Sequence, residues 1–330
     1  MALFSDYLRK SNFTFCMKKV FCIGELLIDF VAENQGKNLS EAKEFTKKAG
    51  GAPANVACAI SKLNGKSAFL GCVGNDPFGA FLLTILKNEN VDISSAQLSD
   101  TFTTLAFVSI DEDGERDFVF SRGADKKLKY DPALKKEFHN NIVHFGAATA
   151  MLGGELEEAY GRYLFDALTQ NSFISFDPNY RMDLWKNKEE LFIKKCTPFI
   201  EKSHLCKFSL EEAQLLSNKE NLEEACKVFH EMGVPIIVVT LGKEGTLLST
   251  PKFSKTIESI QVNPVDTTGA GDAFIGCLLK QFSMHDNLDK VLEDESQLTQ
   301  MIALANKAGA ITTTNFGAIE SLPTPEQLEA

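Results

Sequence analysis

Apolar residues recur along this chain with two different periods. Positions 20–23 form a short apolar run that stops at Gly24, and positions 26–31 resume it around Asp29. Together they predict one buried strand with an awkward carboxylate in it. Positions 37–48 are polar and carry no clear period. Beyond Ala49-Gly50-Gly51-Ala52-Pro53-Ala54-Asn55, Val56, Ile60 and Leu63 recur at helical spacing, and Pro53 suits a first helical turn. An apolar strand is predicted over 68–73. A helix is predicted over 77–87, with Phe78, Phe81, Leu82, Ile85 and Leu86 on its inner face.

The alternation breaks at 103–121. Two strand-like runs, 104–110 and 116–120, flank Asp111-Glu112-Asp113-Gly114, and Asp-Gly between such runs predicts a hairpin. A calcium loop would need carboxylates at alternate positions and a glutamate at the twelfth, which this stretch lacks. From 141 the strand–helix alternation returns. Strands are predicted over 142–146, 173–176, 204–208 and 236–241, and helices over 155–168, 189–201 and 222–232. Ile236-Ile237-Val238-Val239 is apolar without alternation, as a parallel strand covered on both faces should be. The expected fold is one doubly wound, mostly parallel α/β domain over 18–330. A small β-sheet lid is drawn from about 31–48 and 101–124.

Composition narrows the classes. Of 330 residues 44% are hydrophobic, enough for a large core. Lys and Arg number 34 against 45 Asp and Glu, a net charge of −11, which argues against coating nucleic acid or an anionic membrane. No run reaches the ~18 apolar residues of a membrane span. Residues 1–16 carry Arg9 and Lys10 without an apolar stretch behind them, unlike a secretory signal. Met17, followed at once by Lys18 and Lys19, reads as a natural start, and 1–17 as an extension outside the fold. The eight cysteines contain no Cys-x-x-Cys pair and several lie in apolar runs, as expected of buried thiols in a reducing cytoplasm.

The chemistry concentrates at Asp266-Thr267-Thr268-Gly269-Ala270-Gly271-Asp272-Ala273-Phe274. A glycine-bearing loop opens a helix here, so backbone N–H groups can converge on an anion with the helix dipole behind them. Asp272 stands beside that hole. A carboxylate there suits proton abstraction, or it is a plain N-terminal acid that favours the dipole; the loop alone leaves both open. A dinucleotide fingerprint would need glycine where Phe274 stands, and a Walker A loop before Gly65-Lys66-Ser67 would need glycine at Ile60. The five histidines show no metal-ligand spacing, and no nucleophilic Ser or Cys has a motif around it that would favour a covalent intermediate.

These motifs carry a resemblance. The segment 266–274 resembles the C-terminal signature of ribokinase-like (phosphofructokinase-B type) carbohydrate kinases. Residues 49–55, running on to Gly71, Gly74, Asp76 and Gly79, resemble the N-terminal signature, and Gly24–Phe30 the first strand. Asp177-Pro178-Asn179-Tyr180-Arg181 with Leu184-Trp185, Arg122-Gly123-Ala124-Asp125, and 312–318 are most similar to fructokinases. The resemblance implies a ribokinase-like fold and an ATP-dependent fructokinase acting at the 6-hydroxyl. Asp272 would be the general base, and Gly269, Ala270 and Gly271 the anion hole. Asp29, Gly50, Gly51, Asn55, Arg122 and Arg181 would meet the sugar, Gly50 and Gly51 by letting the backbone approach it. Lys207, Ser209, Thr240, Gly242, Gly245, Asn306 and Gly309 would lie at the nucleotide. It implies Mg²⁺ linked to Glu212, and possible K⁺ near Asp266, Thr268, Thr312, Asn315, Gly317 and Ser321.

Two departures stand out. Ser209 replaces the asparagine of the family's Asn-x-x-Glu element, and Ser209-x-x-Glu212 also reads as a helix capping box. Relatives acting on 2-keto-3-deoxygluconate tend to have tyrosines before the lid arginine, where this chain has Phe120-Ser121. Another small-sugar kinase of the family and a non-catalytic sugar- or nucleotide-binding regulator are the alternatives. The hairpin's Leu105, Phe107, Val108, Ile110, Phe118, Val119 and Phe120 are too apolar for a solvated flap. One face should cover the sugar and the other pack against a second copy in a homodimer, unless it folds onto its own core.

Overall fold

The computed structural model describes residues 17–33, 36, 38–110, 116–146 and 148–330. The proposed extension and the Asp111–Gly114 turn lie outside these residues. In chain order the strands are β1 (Lys19–Ile23), β2 (Leu27–Ala32), β3 (Phe45–Gly50), β4 (Lys66–Leu70), β5 (Cys72–Gly74), β6 (Gln97–Ser99) and β7 (Leu105–Ile110). They continue with β8 (Arg116–Ser121), β9 (Ile142–Phe145), β10 (Phe173–Phe176), β11 (Leu205–Ser209), β12 (Ile236–Thr240), β13 (Thr246–Ser249) and β14 (Ser254–Ile257). The longer helices are α1 (Ala52–Lys62), α2 (Pro77–Asn88), α3 (Glu155–Thr169), α4 (Glu189–Lys202), α5 (Leu210–Ser217), α6 (Leu222–Glu231), α7 (Ala270–Ser283) and α8 (Glu295–Thr312).

The main sheet has eight strands in the order β14-β13-β12-β11-β10-β9-β1-β4, parallel except for β13 and β14. Residues of α1, α2, α7 and α8 build the core on one face, and those of α3 to α6 the core on the other. This is the doubly wound architecture the pattern predicts and the ribokinase-like fold the resemblance implies. Strand order reverses beside β1, which lies between β9 and β4. In such sheets the crevice beyond the carboxyl ends at the reversal is where ligands bind. The seven cysteines among the described residues are buried and free. Among those residues no helix is long and apolar enough to cross a membrane.

The expected single strand over 20–31 is two strands in two sheets. Gly24, with φ at +148°, breaks the run. Its N–H still donates to Leu70 O at 2.9 Å, and then the chain leaves the main sheet. Leu26 to Ile28 are as buried as β1, which is why hydropathy alone joins them. β2 instead enters the lid, a four-stranded sheet ordered β3-β2-β7-β8 and antiparallel except for the β2–β7 pair. The lid therefore takes in 27–32, 45–50, 105–110 and 116–121, and Asp29 and Gly50 ride on it.

Alternation splits the lid's apolar residues between its faces, as expected. Asp29, Ala106 and Phe120 lie level on one face, and Phe30, Phe107 and Val119 on the other. The second face is not simply left bare. Phe30 stacks on Phe107 (5.2 Å between centroids), Phe45 meets Phe107 edge-on, and Phe78 of α2 meets Phe30 edge-on. Phe107, expected to face a partner, thus packs on Phe30 and Phe45 of its own lid, and Phe30 in turn on α2.

Candidate active site

The first turn of α7 reaches the crevice. Gly269 sits at its N-cap with φ at +79°, and any Cβ there would press on Ala318 at 2.7 Å. No side chain caps this helix, so its amide donors and positive dipole end are offered outward. Ala270 gives its N–H to Thr267 O at 3.3 Å and so is not the free donor the motif suggested. Lys207 of β11 fills part of that role. A Cβ on Gly271 would stand 3.2 Å from its Nζ, which puts an ammonium group against the helix start.

Asp272 follows in the same turn and is half-buried. Asn55 of α1 donates from Nδ2 to its Oδ2 at 2.8 Å. Burial pushes the Asp272 carboxyl above the ordinary carboxylate range and Asp177 adds to that; the Asn55 bond, Lys207 and Arg181 pull the other way. Asn55 thus fixes the orientation of this carboxyl. Its own Oδ1 is buried with no partner among the described residues, so an acceptor remains for a hydroxyl.

Asp29 faces this turn from the lid. Burial pushes its carboxyl up to about 7; Arg181 pulls it down, while Glu25 and Asp272 add to the rise. Arg181 is exposed, its Nη1 donates to Tyr180 O at 3.1 Å, and its charge is felt by both carboxylates. Arg122 is held more firmly. Its Nε donates to the fully buried Asp125 at 2.9 Å, and its Nη2 is buried without a partner among the described residues. An orphaned guanidinium nitrogen of that kind marks a position for a ligand oxygen.

Several expected contacts have another purpose. A Cβ at Gly50 would collide with the Asp29 carboxylate, and one at Gly51 would come 2.5 Å from Glu25 O. These glycines make room for the lid and its hinge. Gly245 is glycine because Ile257 O lies against it, and Gly309 because α8 packs on Ala270 O at 3.0 Å. Asn306 is buried and spends its amide inside the protein, accepting from Thr246 Oγ1 at 2.6 Å and donating to Ile257 O at 2.8 Å. Gly242 opens onto free space, and Thr240 is half-buried with its hydroxyl on Phe208 O at 3.3 Å.

The capping box is real. Ser209 Oγ accepts from Glu212 N at 3.2 Å, and Glu212 Oε2 accepts from Ser209 N at 2.7 Å. Glu212 Oε1 also accepts from Tyr180 N at 2.7 Å, which ties α5 to the residue beside Arg181. On the opposite side of α7, Asp266 accepts from Thr268 N, Thr268 Oγ1 and Gly317 N at 2.9, 2.6 and 3.0 Å. Asn315 is exposed, and Thr312 Oγ1 donates to Ala308 O at 2.9 Å. Ser321 Oγ is buried without a partner among the described residues.

Sequence reasoning gave no role to Glu25, Asp177 or His144. Glu25 lies in the hinge between β1 and β2 and accepts from Thr149 Oγ1 at 3.1 Å; burial pushes it up to about 7. The signal was a second carboxylate in an apolar run, four residues from Asp29.

Comparison with known proteins agrees with this geometry. The profile of the pfkB family carbohydrate kinases matches residues 17–325. A probable fructokinase-4 of Arabidopsis thaliana is 38% identical over 317 residues, covering 94% of this chain and 95% of that protein. Among solved structures, a double mutant of the fructokinase of Vibrio cholerae O395, in fructose, ADP and potassium ion bound form, superposes with a TM-score of 0.82. It is 29% identical and covers 96% of this chain and 98% of its own. A fructokinase of Xylella fastidiosa with bound ATP gives a TM-score of 0.83 at 26% identity, covering 95% and 98%.

Proposed function

The chain belongs to the pfkB family of carbohydrate kinases, and on that premise we propose that it transfers the γ-phosphoryl group of ATP to the 6-hydroxyl of D-fructose. One observation carries the reading. A half-buried carboxylate oriented by an amide, an uncapped helix start and a lysine ammonium share a single turn of α7. Asp272 takes the proton of the attacking hydroxyl. The α7 amides and Lys207 meet the charge that develops on the transferring group. Asp29, Arg122 and the free oxygen of Asn55 orient the sugar, and the lid excludes water that would otherwise hydrolyse ATP.

The residues present suit the expected ions. Each oxygen of Glu212 accepts one backbone N–H and keeps a lone pair, so this carboxylate can hold a water of Mg²⁺; bound there, the ion neutralises phosphate charge. The loop that Asp266 ties to Gly317, with the orphaned Ser321 hydroxyl nearby in sequence, suits a monovalent cation held by oxygen donors.

A coupled ADP-release assay over a panel of sugars tests the substrate. D-fructose should rank first in kcat/KM. A tenfold preference for ribose or 2-keto-3-deoxygluconate would remove fructose and leave the kinase. No turnover with any sugar would favour the regulator.

We also propose that two copies pair through their lids. The support is narrower than the hydropathy suggested: Val119 and Phe102, each 52% exposed, border the ring cluster against α2. Light scattering should give a dimer for the wild type and a monomer for Val119→Asp. A wild-type monomer at tens of micromolar ends the proposal.

A further inference from the structure

β10 and β11 bring two opposite charges together beneath the helix start. Ser175 pairs with Leu205, so the next residue on that face, Asp177, comes level with Lys207. Asp177 Oδ2 lies 3.0 Å from Lys207 Nζ, and both residues are almost wholly buried, at 2% and 8% exposure. Asp177 Oδ1 is steadied by Asn179 N at 3.2 Å.

Lysine carries a compact charge on a flexible four-carbon stem, so its position has to be imposed. Four groups bear on this one. Asp177 lies just beyond β10, Glu212 on α5, Asp272 on α7 and His144 on β9. His144 adds no charge, because burial pushes it down to about 4. Three carboxylates therefore compete for a single ammonium, and one of them is the base.

We infer that Asp177 is a positioning residue of the phosphoryl site: by pairing with Lys207 it aims that ammonium at the first turn of α7 and keeps it off the Asp272 carboxylate. The inference rests on the kinase reading. The ion pair uses one of the three N–H donors of Lys207, leaving two for phosphate oxygens. Without the Asp177 charge, the carboxylates left to Lys207 are Glu212 and Asp272, of which only Asp272 lies on α7. An ion pair with Asp272 would both empty the anion hole and, by stabilising the charged carboxylate, make it a weaker base.

The test uses the full chain with Asp177→Asn, Lys207→Met and the double variant, each compared with wild type in one ADP-release assay. Wild-type turnover tests the kinase reading by itself. Asp177→Asn should lose about 10- to 100-fold in kcat, less than the roughly 10²–10³-fold of deleting a transition-state donor, because the ammonium is displaced rather than removed. Its fructose KM should stay within about threefold, the pattern of a group that acts in the transition state. The acid limb of its pH–rate profile should move to lower pH, as Asp272 loses the Asp177 charge and gains Lys207. In the double variant, removing Asp177 should cost nothing beyond Lys207→Met. That comparison also stands if Asp177→Asn alone, with its buried unpaired lysine, fails to fold. An unmoved acid limb, or losses that add in the double variant, would overturn the inference and leave an ordinary buried ion pair.

Discussion

Asp272→Asn should lower kcat by about 10²–10⁴-fold, the usual contribution of a placed general base. Affinity for sugar and ATP should stay within several-fold. The substitution keeps the shape of the site, since an amide oxygen can still accept from Asn55 Nδ2, which now sits 2.8 Å from the carboxylate. It removes only the ability to take a proton. The same group sets the acid limb of the wild-type profile. Burial holds the Asp272 carboxyl above the ordinary range, so its base form is lost on acidification earlier than a surface aspartate would lose it. Wild-type kcat/KM should fall as pH drops through that raised pKa, while the variant's residual rate shows no such limb. Steady-state kinetics from pH 5 to 9 reads both effects, and near-wild-type turnover in the pure variant would strip Asp272 of the role.

The second large effect should come from the lid. Asp29→Ala should raise the fructose KM and lower kcat together, with ATP KM unchanged. A hydrogen bond to a charged group contributes about 1.5–3 kcal/mol, so losing two would cost about 10²–10⁴-fold in kcat/KM. Part of that loss falls on kcat because a sugar held less firmly leaves the near-attack geometry. The carboxylate has no obvious structural duty: Gly50 leaves it space, and its neighbours Glu25 and Asp272 are like charges that it would be favourable to lose. A soluble variant with ordinary thermal stability but poor sugar binding is the expected result. A change confined to ATP would place the sugar elsewhere.

What could be read from the sequence follows distance along the chain. Asp272 and its glycines are adjacent, so their meeting needs no tertiary information, and Ser209 with Glu212 announces a capping box for the same reason. Asp29 was visible as a carboxylate among apolar neighbours, but its sheet was not. β1 and β2 are equally buried, and only the backbone turn at Gly24 separates them. The Asp177–Lys207 pair depends on the register of two strands 30 residues apart, which no local period encodes. Gly245, Gly309 and Asn306 show a limit of another kind. Each meets distant backbone, of β14 and its following loop or of α7, and a residue required by packing looks the same in sequence as one required by a ligand.

The break at Gly24 also divides the enzyme's labour. Residues 19–23 stay in the rigid sheet, and three residues later the chain is part of the cover that carries Asp29. On the proposed roles, the groups that select a sugar, Asp29 on β2 and Arg122 just after β8, belong to the lid. Those that move the phosphoryl group lie at the ends of β10 and β11 of the main sheet and on α7 beside it. Lid strands can drift in sequence, and with them the choice of acceptor, while the phosphate machinery stays fixed. Such an arrangement lets one catalytic frame be inherited by enzymes of many diets.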